Sequence, residues 1–201
     1  MVQRMQHDEI ELHFCPDVYP PAEDTYLLLE AIDITSEDVF LEVGSGSGLI
    51  SVIAARHAKL VVASDISLYA IRNTKQNLEL NKVRHKSDVI QMDLLAGLSS
   101  KPRFSVIAFN PPYLPSDNHI TEMDHALVGG PLGIEVTERF LEQAVFLLKP
   151  NGRLYVVVSS QSDIGRIRKA MRKCGFRVRT AASTRIFFEV LEVLEGISVE
   201  G

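Results

Sequence analysis

The chain has little of what marks the specialised protein classes. Its two cysteines, Cys15 and Cys174, stand far apart, with no Cys-x-x-Cys pair and no ladder of six or eight. Neither a disulfide framework nor a structural zinc site is expected, and a reducing compartment fits. Positive charge is also short: 21 Lys and Arg against 26 Asp and Glu give a formal charge of −5. General nucleic-acid binding needs concentrated cations and is disfavoured. "GRIRKAMRKCGFRVR" (Gly165–Arg179) leaves room for a local basic face, though such a run is more often the wet side of a helix followed by a solvated strand. No apolar run approaches membrane-spanning length, and "MVQRMQHDEI" is too polar for a secretory signal, so no membrane partner and a cytoplasmic location are expected. Internal repeats, low-complexity tracts and linkers are missing too.

What is there is an ordinary globular composition, 46% hydrophobic and 23% charged over 201 residues. That length suits one domain with a single substantial core. "EIELHF" (Glu9–Phe14) alternates weakly and reads as a short strand. "PPAEDTYLLLEAI" (Pro20–Ile32) reads as a helix, with prolines at its entry and acidic residues near the positive end of its dipole. A regular alternation follows. Strands are expected at "VFLEV" (Val39–Val43), "LVVASD" (Leu60–Asp65), "DVIQMD" (Asp88–Asp93), "FSVIAF" (Phe104–Phe109) and "RLYVVVSS" (Arg153–Ser160). Helices are expected at Gly48–Ala58, Leu68–Asn81, Ile134–Leu148 and Asp163–Cys174. Near-continuous apolar strands alternating with helices imply a parallel sheet covered on both faces. "FRVRTAA" and "RIFFEVLEVL" have no helix between them and must pair antiparallel, with "AASTR" (Ala181–Arg185) as the turn. Residues 196–201 read as a flexible tail.

"LEVGSGSG" (Leu41–Gly48) ends the first strand in glycines at 44, 46 and 48, which allow a tight turn and close approach of backbone to a ligand. Alone, this is also what any tight strand-to-helix connection looks like. Asp65 closes the second strand, 21 residues after Gly44, where a carboxylate can accept both ribose hydroxyls. Asp93 ends the third expected strand at the same edge and could take an adenine amino group, with the Leu94 backbone beside the ring. Glu42 could orient the loop or receive an ammonium group. Any one of these carboxylates could be a solvated strand end. Together they describe adenine, ribose and an amino-acid end, which is S-adenosylmethionine rather than NAD.

The fourth strand runs into "NPPYLP" (Asn110–Pro115). Two prolines leave that segment little freedom. An amide or aniline-like nitrogen is a poor nucleophile because its lone pair is delocalised. Accepting its two N–H protons on the Asn110 side-chain oxygen and the Pro111 carbonyl would favour pyramidalisation, with Tyr113 as a flat wall.

"LEVGSGSG" followed by "NPPY" resembles the methyltransferases acting on glutamine, adenine or guanine nitrogens. With "VYPPAEDTYLLLEAI" (Val18–Ile32) and "GGPLGIEVTERFL" (Gly129–Leu141), the chain resembles, over nearly its whole length, the HemK-like release-factor glutamine N5-methyltransferases of eukaryotic and archaeal type. The resemblance implies a three-layer, Rossmann-like class I methyltransferase fold: seven strands, mostly parallel, the last antiparallel. It implies one domain over residues 1–201, with residues 1–35 capping the cofactor site, and not the extra N-terminal helical domain of the bacterial type. It implies cofactor contacts from Thr25, Glu42, Gly44, Ser45, Gly46, Asp65, Ile66, Asp93, Leu94 and Asn110, and catalysis by Asn110, Pro111 and Tyr113 without metal. The implied substrate is the glutamine of the Gly-Gly-Gln loop of a class I translation release factor. The implied partner is a small zinc-binding activator subunit, forming a heterodimer by pairing with a sheet edge. Pro21 departs from the pattern, since relatives often carry Glu there.

Two other readings stand beside this one. The Asn110–Tyr113 claw could hold an exocyclic amine of adenine or guanine in RNA or DNA, or the fold could be a non-catalytic scaffold, which would not need Asn110 and Asp65. His119, Asp124 and His125 in "PSDNHITEMDHALVGG" could form a metal site or a His–Asp pair, but read better as a mobile substrate loop, with Gly129–Gly130 letting it fold over as a lid. His7, His13 and His57 read as surface residues, and Cys15 as a small buried filler.

Overall fold

The computed structural model describes residues 10–99, 101–114, 130, 133–187 and 189–199. Helix α1 (Glu23–Ala31) leads into β1 (Val39–Val43), α2 (Leu49–His57), β2 (Leu60–Asp65) and α3 (Leu68–Leu80). A 3-10 turn precedes β3 (Ser87–Gln91); then come β4 (Phe104–Phe109), α4 (Glu135–Ala144), β5 (Leu148–Ser159), α5 (Ile164–Lys173), β6 (Phe176–Ile186) and β7 (Glu189–Ser198). These strands form one sheet in the order β3-β2-β1-β4-β5-β7-β6. β1 to β5 are parallel, and β7 lies antiparallel between β5 and β6.

The two-residue period of the strands sorts the core into two layers. Phe40, Val106, Ala108, Tyr155 and Val157 face α1 and α2. Leu41, Val43, Ile107, Phe109, Leu154, Val156 and Val158 face α4 and α5. Phe109 also packs against Phe140 of α4, ring centroids 4.8 Å apart, which fixes the helix beside the end of β4. No helix among the described residues is long and apolar enough to cross a membrane.

Several boundaries differ from the sequence reading. Ile10–Phe14, the described part of the first expected strand, has no sheet partner; its backbone groups bond asparagine side chains of α3 instead. β3 stops at Gln91, two residues short of Asp93. α4 ends at Ala144, and Leu148 already pairs with Phe104 in β5, across an irregularity that precedes the Val106–Arg153 pair. "AASTR" is not the hairpin turn. It continues β6 past a register shift at Thr180/Ala182, and the chain turns at Phe187 with φ +38°. Nor does a tail begin at 196: Gly196, Ile197 and Ser198 remain paired in β7. Gly196 lies under α5, where an added Cβ would meet Met171 at 2.8 Å, so the close fit itself holds this end of the strand.

Candidate functional site

Strand order reverses between β1 and β4, and a crevice opens at the carboxyl ends of such strands. A cavity of about 570 Å³ lies there, a size suited to a small organic ligand. Its walls include Thr25 of α1, Glu42 to Ser47 after β1, Asp65 and Ile66 after β2, Asp93 and Leu94 beyond β3, and Asn110 to Pro112 after β4. Tyr113 is not part of the lining.

The glycine loop is folded by backbone geometry and by α3 together. Gly44 has φ +68°, and a Cβ there would sit 3.2 Å from the Phe109 ring. Gly48 has φ +81°, and its Cβ would fall 2.9 Å from the Thr74 Cα, so α3 can approach only a glycine. Across that contact, Thr74 Oγ1 donates to the Gly46 carbonyl at 3.1 Å, and the Asn77 amide donates to the Ser47 carbonyl at 2.8 Å. The Gly46 amide donates to Asp65 Oδ2 at 3.0 Å.

Three carboxylates sit differently in this frame. Glu42 is buried, accepts hydrogen bonds from the hydroxyl and the backbone amide of Ser51 of α2, and forms no ion pair among the described residues. Burial, with the Asp65 charge adding to it, pushes its carboxyl up to about 8. Asp65 uses both oxygens locally, Oδ2 on Gly46 and Oδ1 on the Ser67 amide at 2.8 Å; burial still pushes its carboxyl above the usual range. Asp93 lies in the turn after β3, half exposed, where Oδ2 accepts from Arg139 of α4 at 2.7 Å. Leu94 follows in the left-handed region, φ +49°.

At the end of β4, Asn110 places a buried side-chain oxygen with no hydrogen-bond partner among the described residues. A buried acceptor in that state is a free-energy deficit that a ligand donor can remove. Pro111 and Pro112 continue along the cavity wall. Tyr113 turns inward and is buried; its hydroxyl donates to Asp24 Oδ2 at 3.3 Å. Asp24, itself buried, also accepts from the Thr25 amide at 2.6 Å and from Tyr19. Burial and the Asp24 charge push the Tyr113 phenol up from its usual value and Tyr19 up to about 12, so both remain donors.

Asp24, Tyr19, Ser51, Thr74, Asn77 and Arg139 carried no role in the sequence reading. Only one stretch carries a usable signal: Asn73, Asn77 and Asn81 recur at helical spacing along α3 and its C-cap. His7 and the segment with His119, Asp124, His125 and Gly129 lie outside the described residues.

The family model described as the methyltransferase small domain matches residues 22–191. A Methanocaldococcus jannaschii protein with the provisional name of protein N5-glutamine methyltransferase is 36% identical over 199 residues, covering 96% of this chain and 98% of that one. Methyltransferase HEMK2 of Homo sapiens is 35% identical over 192 residues, 89% of each chain. Among solved structures, a chain of the E. cuniculi Mtq2–Trm112 complex responsible for methylation of the eRF1 translation termination factor superposes with a TM-score of 0.72 at 24% identity, over 90% of this chain and 99% of that one. With this fold, this cavity and these relatives, the chain belongs to the methyltransferase small domain family and, within it, to the HemK/Mtq2-like S-adenosylmethionine-dependent glutamine N5-methyltransferases of release factors.

Proposed function

We propose that the chain methylates the side-chain amide nitrogen of the glutamine in the Gly-Gly-Gln loop of a class I translation release factor. The observation that carries this reading is the partnerless buried oxygen of Asn110 on the cavity wall, followed directly by two prolines. A primary amide brings two N–H donors. Asn110 Oδ1 accepts one and the Pro111 carbonyl the other, which draws the nitrogen lone pair out of conjugation with its carbonyl and toward the cavity. The prolines hold both acceptors in place, so little ordering remains to be done when the amide arrives. The nitrogen sheds one proton to solvent after it gains its new bond.

The residues present fit S-adenosylmethionine. Glu42 is a buried carboxylate without a cation and suits its ammonium group. Thr25, Gly44, Ser45 and Gly46 suit the methionine end, Asp65 and Ile66 the ribose, and Asp93 and Leu94 the adenine. When bound, the cofactor supplies a methyl group activated by its sulfonium. Tyr113 acts from behind the claw: anchored on Asp24, it fixes the course of Asn110–Pro112 from a buried position.

The activator subunit of this reading is small and zinc-binding, and adds a strand to the β3 edge. The sheet's two edges differ in a way that supports this. β6 is interrupted by a register shift and carries exposed Arg177, Arg179 and Arg185, the features that discourage strand addition. β3 is uninterrupted, with Ile90 exposed on it and Ile66, Leu68 and Tyr69 exposed around it. The test offers purified release factor and total RNA separately, with S-adenosylmethionine, with and without the activator subunit. One methyl on the Gly-Gly-Gln glutamine by mass spectrometry, lost in Asn110→Ala, is the expected result. Methyl in RNA and none in the release factor would overturn it in favour of a nucleobase amine.

A further inference from the structure

The geometry points to Asn77 as a positioning residue for the cofactor loop, through which the N-terminal segment 10–19 raises cofactor affinity. Along α3 and its C-cap, Asn73, Asn77 and Asn81 recur every fourth residue, so their amides project from one side of the helix roughly 6 Å apart. Two residues of extended chain advance by roughly 6.6 Å. The two repeats match, and alternate residues of the incoming segment meet successive asparagines. The Glu11 amide donates to Asn81 Oδ1 at 3.3 Å, and Asn81 Nδ2 returns a bond to the Glu11 carbonyl at 2.7 Å. The His13 amide donates to Asn77 Oδ1 at 2.8 Å, and the Cys15 amide to Asn73 Oδ1 at 3.1 Å. Asn73 and Asn77 both donate to the His13 carbonyl, at 2.8 and 2.9 Å. The segment is hydrogen-bonded as a strand would be, but by helix side chains.

Asn77 joins this strap to the cofactor loop. It is fully buried, and Nδ2 spends one N–H on the His13 carbonyl and the other on the Ser47 carbonyl of the loop. One amide plane therefore sets the loop and the strap together, and rotating it for either breaks the other. Downstream, Asp17, Val18 and Tyr19 line the cavity, and a Cβ on Gly46 would face the Tyr19 carbonyl at 3.8 Å. A cofactor that needs the loop in this shape and these residues as a wall favours the strap-bound state. By linkage, ordering of the strap must favour the cofactor to the same degree.

Two measurements on the full chain test this. In the wild type, saturating S-adenosylmethionine should slow hydrogen exchange at the Glu11, His13 and Cys15 amides by about five-fold or more. Asn73→Ala with Asn81→Ala loosens the strap without touching the loop. That double variant should raise the cofactor Kd by about the same factor while kcat at saturating cofactor stays within about two-fold. Asn77→Asp keeps the acceptor for His13 but loses both donors, and should raise the Kd further with the same sparing of kcat. Exchange at these amides that ignores the cofactor, an unchanged Kd in the double variant, or a fall in kcat at unchanged Kd each overturns the proposal and leaves the strap as cover.

Discussion

Replacing Glu42 with glutamine should stabilise the cofactor-free protein and weaken its hold on the cofactor. Glu42 is 4% exposed, with the hydroxyl and backbone amide of Ser51 and a second carboxylate, Asp65, as its neighbours. Burial raises it from 4.5 to about 8. The folded chain thus retains a proton that the unfolded chain has already released, and the sign follows. Below about pH 4.5 both states are protonated and Glu42 costs nothing. Between about pH 4.5 and 8 only the unfolded chain has released the proton, and stability falls as pH rises. Above about pH 8 the folded state buries an uncompensated charge and the cost is constant. At 1.36 kcal/mol per pH unit the ceiling is about 5 kcal/mol, and water entry through the cavity brings the expectation to about 2 kcal/mol. Glutamine keeps an acceptor for Ser51 and turns its amide toward the cavity. In urea denaturation, the variant should match the wild type near pH 5 and exceed it by about 2 kcal/mol near pH 9, or by about 4–8 °C in Tm. Saturating S-adenosylmethionine should shrink or reverse that gap, because its ammonium group neutralises Glu42 and finds no charge in the variant. A stability difference that does not change between pH 5 and pH 9, or a variant less stable than wild type at pH 9, would refute the assignment of Glu42 as an unpaired buried carboxylate.

Asn110→Ala should lower kcat by about 10²–10³ yet leave stability unchanged or raise it by about 1 kcal/mol, since it deletes a buried acceptor that has no partner; turnover and urea melts on the same preparation check both. Tyr113→Phe leaves Asp24 Oδ2 without this donor and should lower stability by about 1–2 kcal/mol while reducing turnover, whereas a tyrosine that served only as an exposed wall would leave the melt unmoved. Ile90→Glu should abolish co-purification with the activator subunit and leave the isolated chain's melting temperature within about 2 °C, because the side chain lies on an exposed edge.

The β/α alternation was legible because each parallel strand is an apolar run buried on both faces, which little else in a soluble chain resembles. The cofactor loop and the claw were legible because their residues are contiguous in sequence. What escaped were contacts made across the chain. Ser51 meets Glu42 only once α2 folds back on β1, and Asp24 meets Tyr113 across 89 residues. Tyr113 read as a wall facing the substrate because a tyrosine after two prolines has no local acceptor; α1 supplies one and turns the ring inward. Asn73, Asn77 and Asn81 drew no role for the same reason, since nothing local shows that a strap lies across them. "AASTR" reads as a turn because it is a short break between two strands with no helix between them, but on an edge strand with one open side small polar residues are equally at home within the strand.

The polar atoms around the cavity divide into those already committed to the fold and those left open, and this decides which substitutions can be interpreted. Asp65 braces Gly46 with one oxygen and Ser67 with the other, so any ribose must share acceptors that also shape the loop. Removing that carboxylate would collapse loop geometry and cofactor binding at once, and a dead Asp65 variant could not tell the two apart. Asp24 and Asn77 are committed in the same way, to Tyr113 and to Ser47. Asn110 Oδ1 and the Glu42 carboxyl are different: among the described residues one has no partner, and the other has the hydroxyl and backbone amide of Ser51 but no cation. Their removal perturbs little that the empty protein uses. Opposite effects on stability and on turnover at these two positions therefore follow from the hydrogen-bond inventory itself, and they separate a site built for ligands from a polar cluster that only holds the fold together.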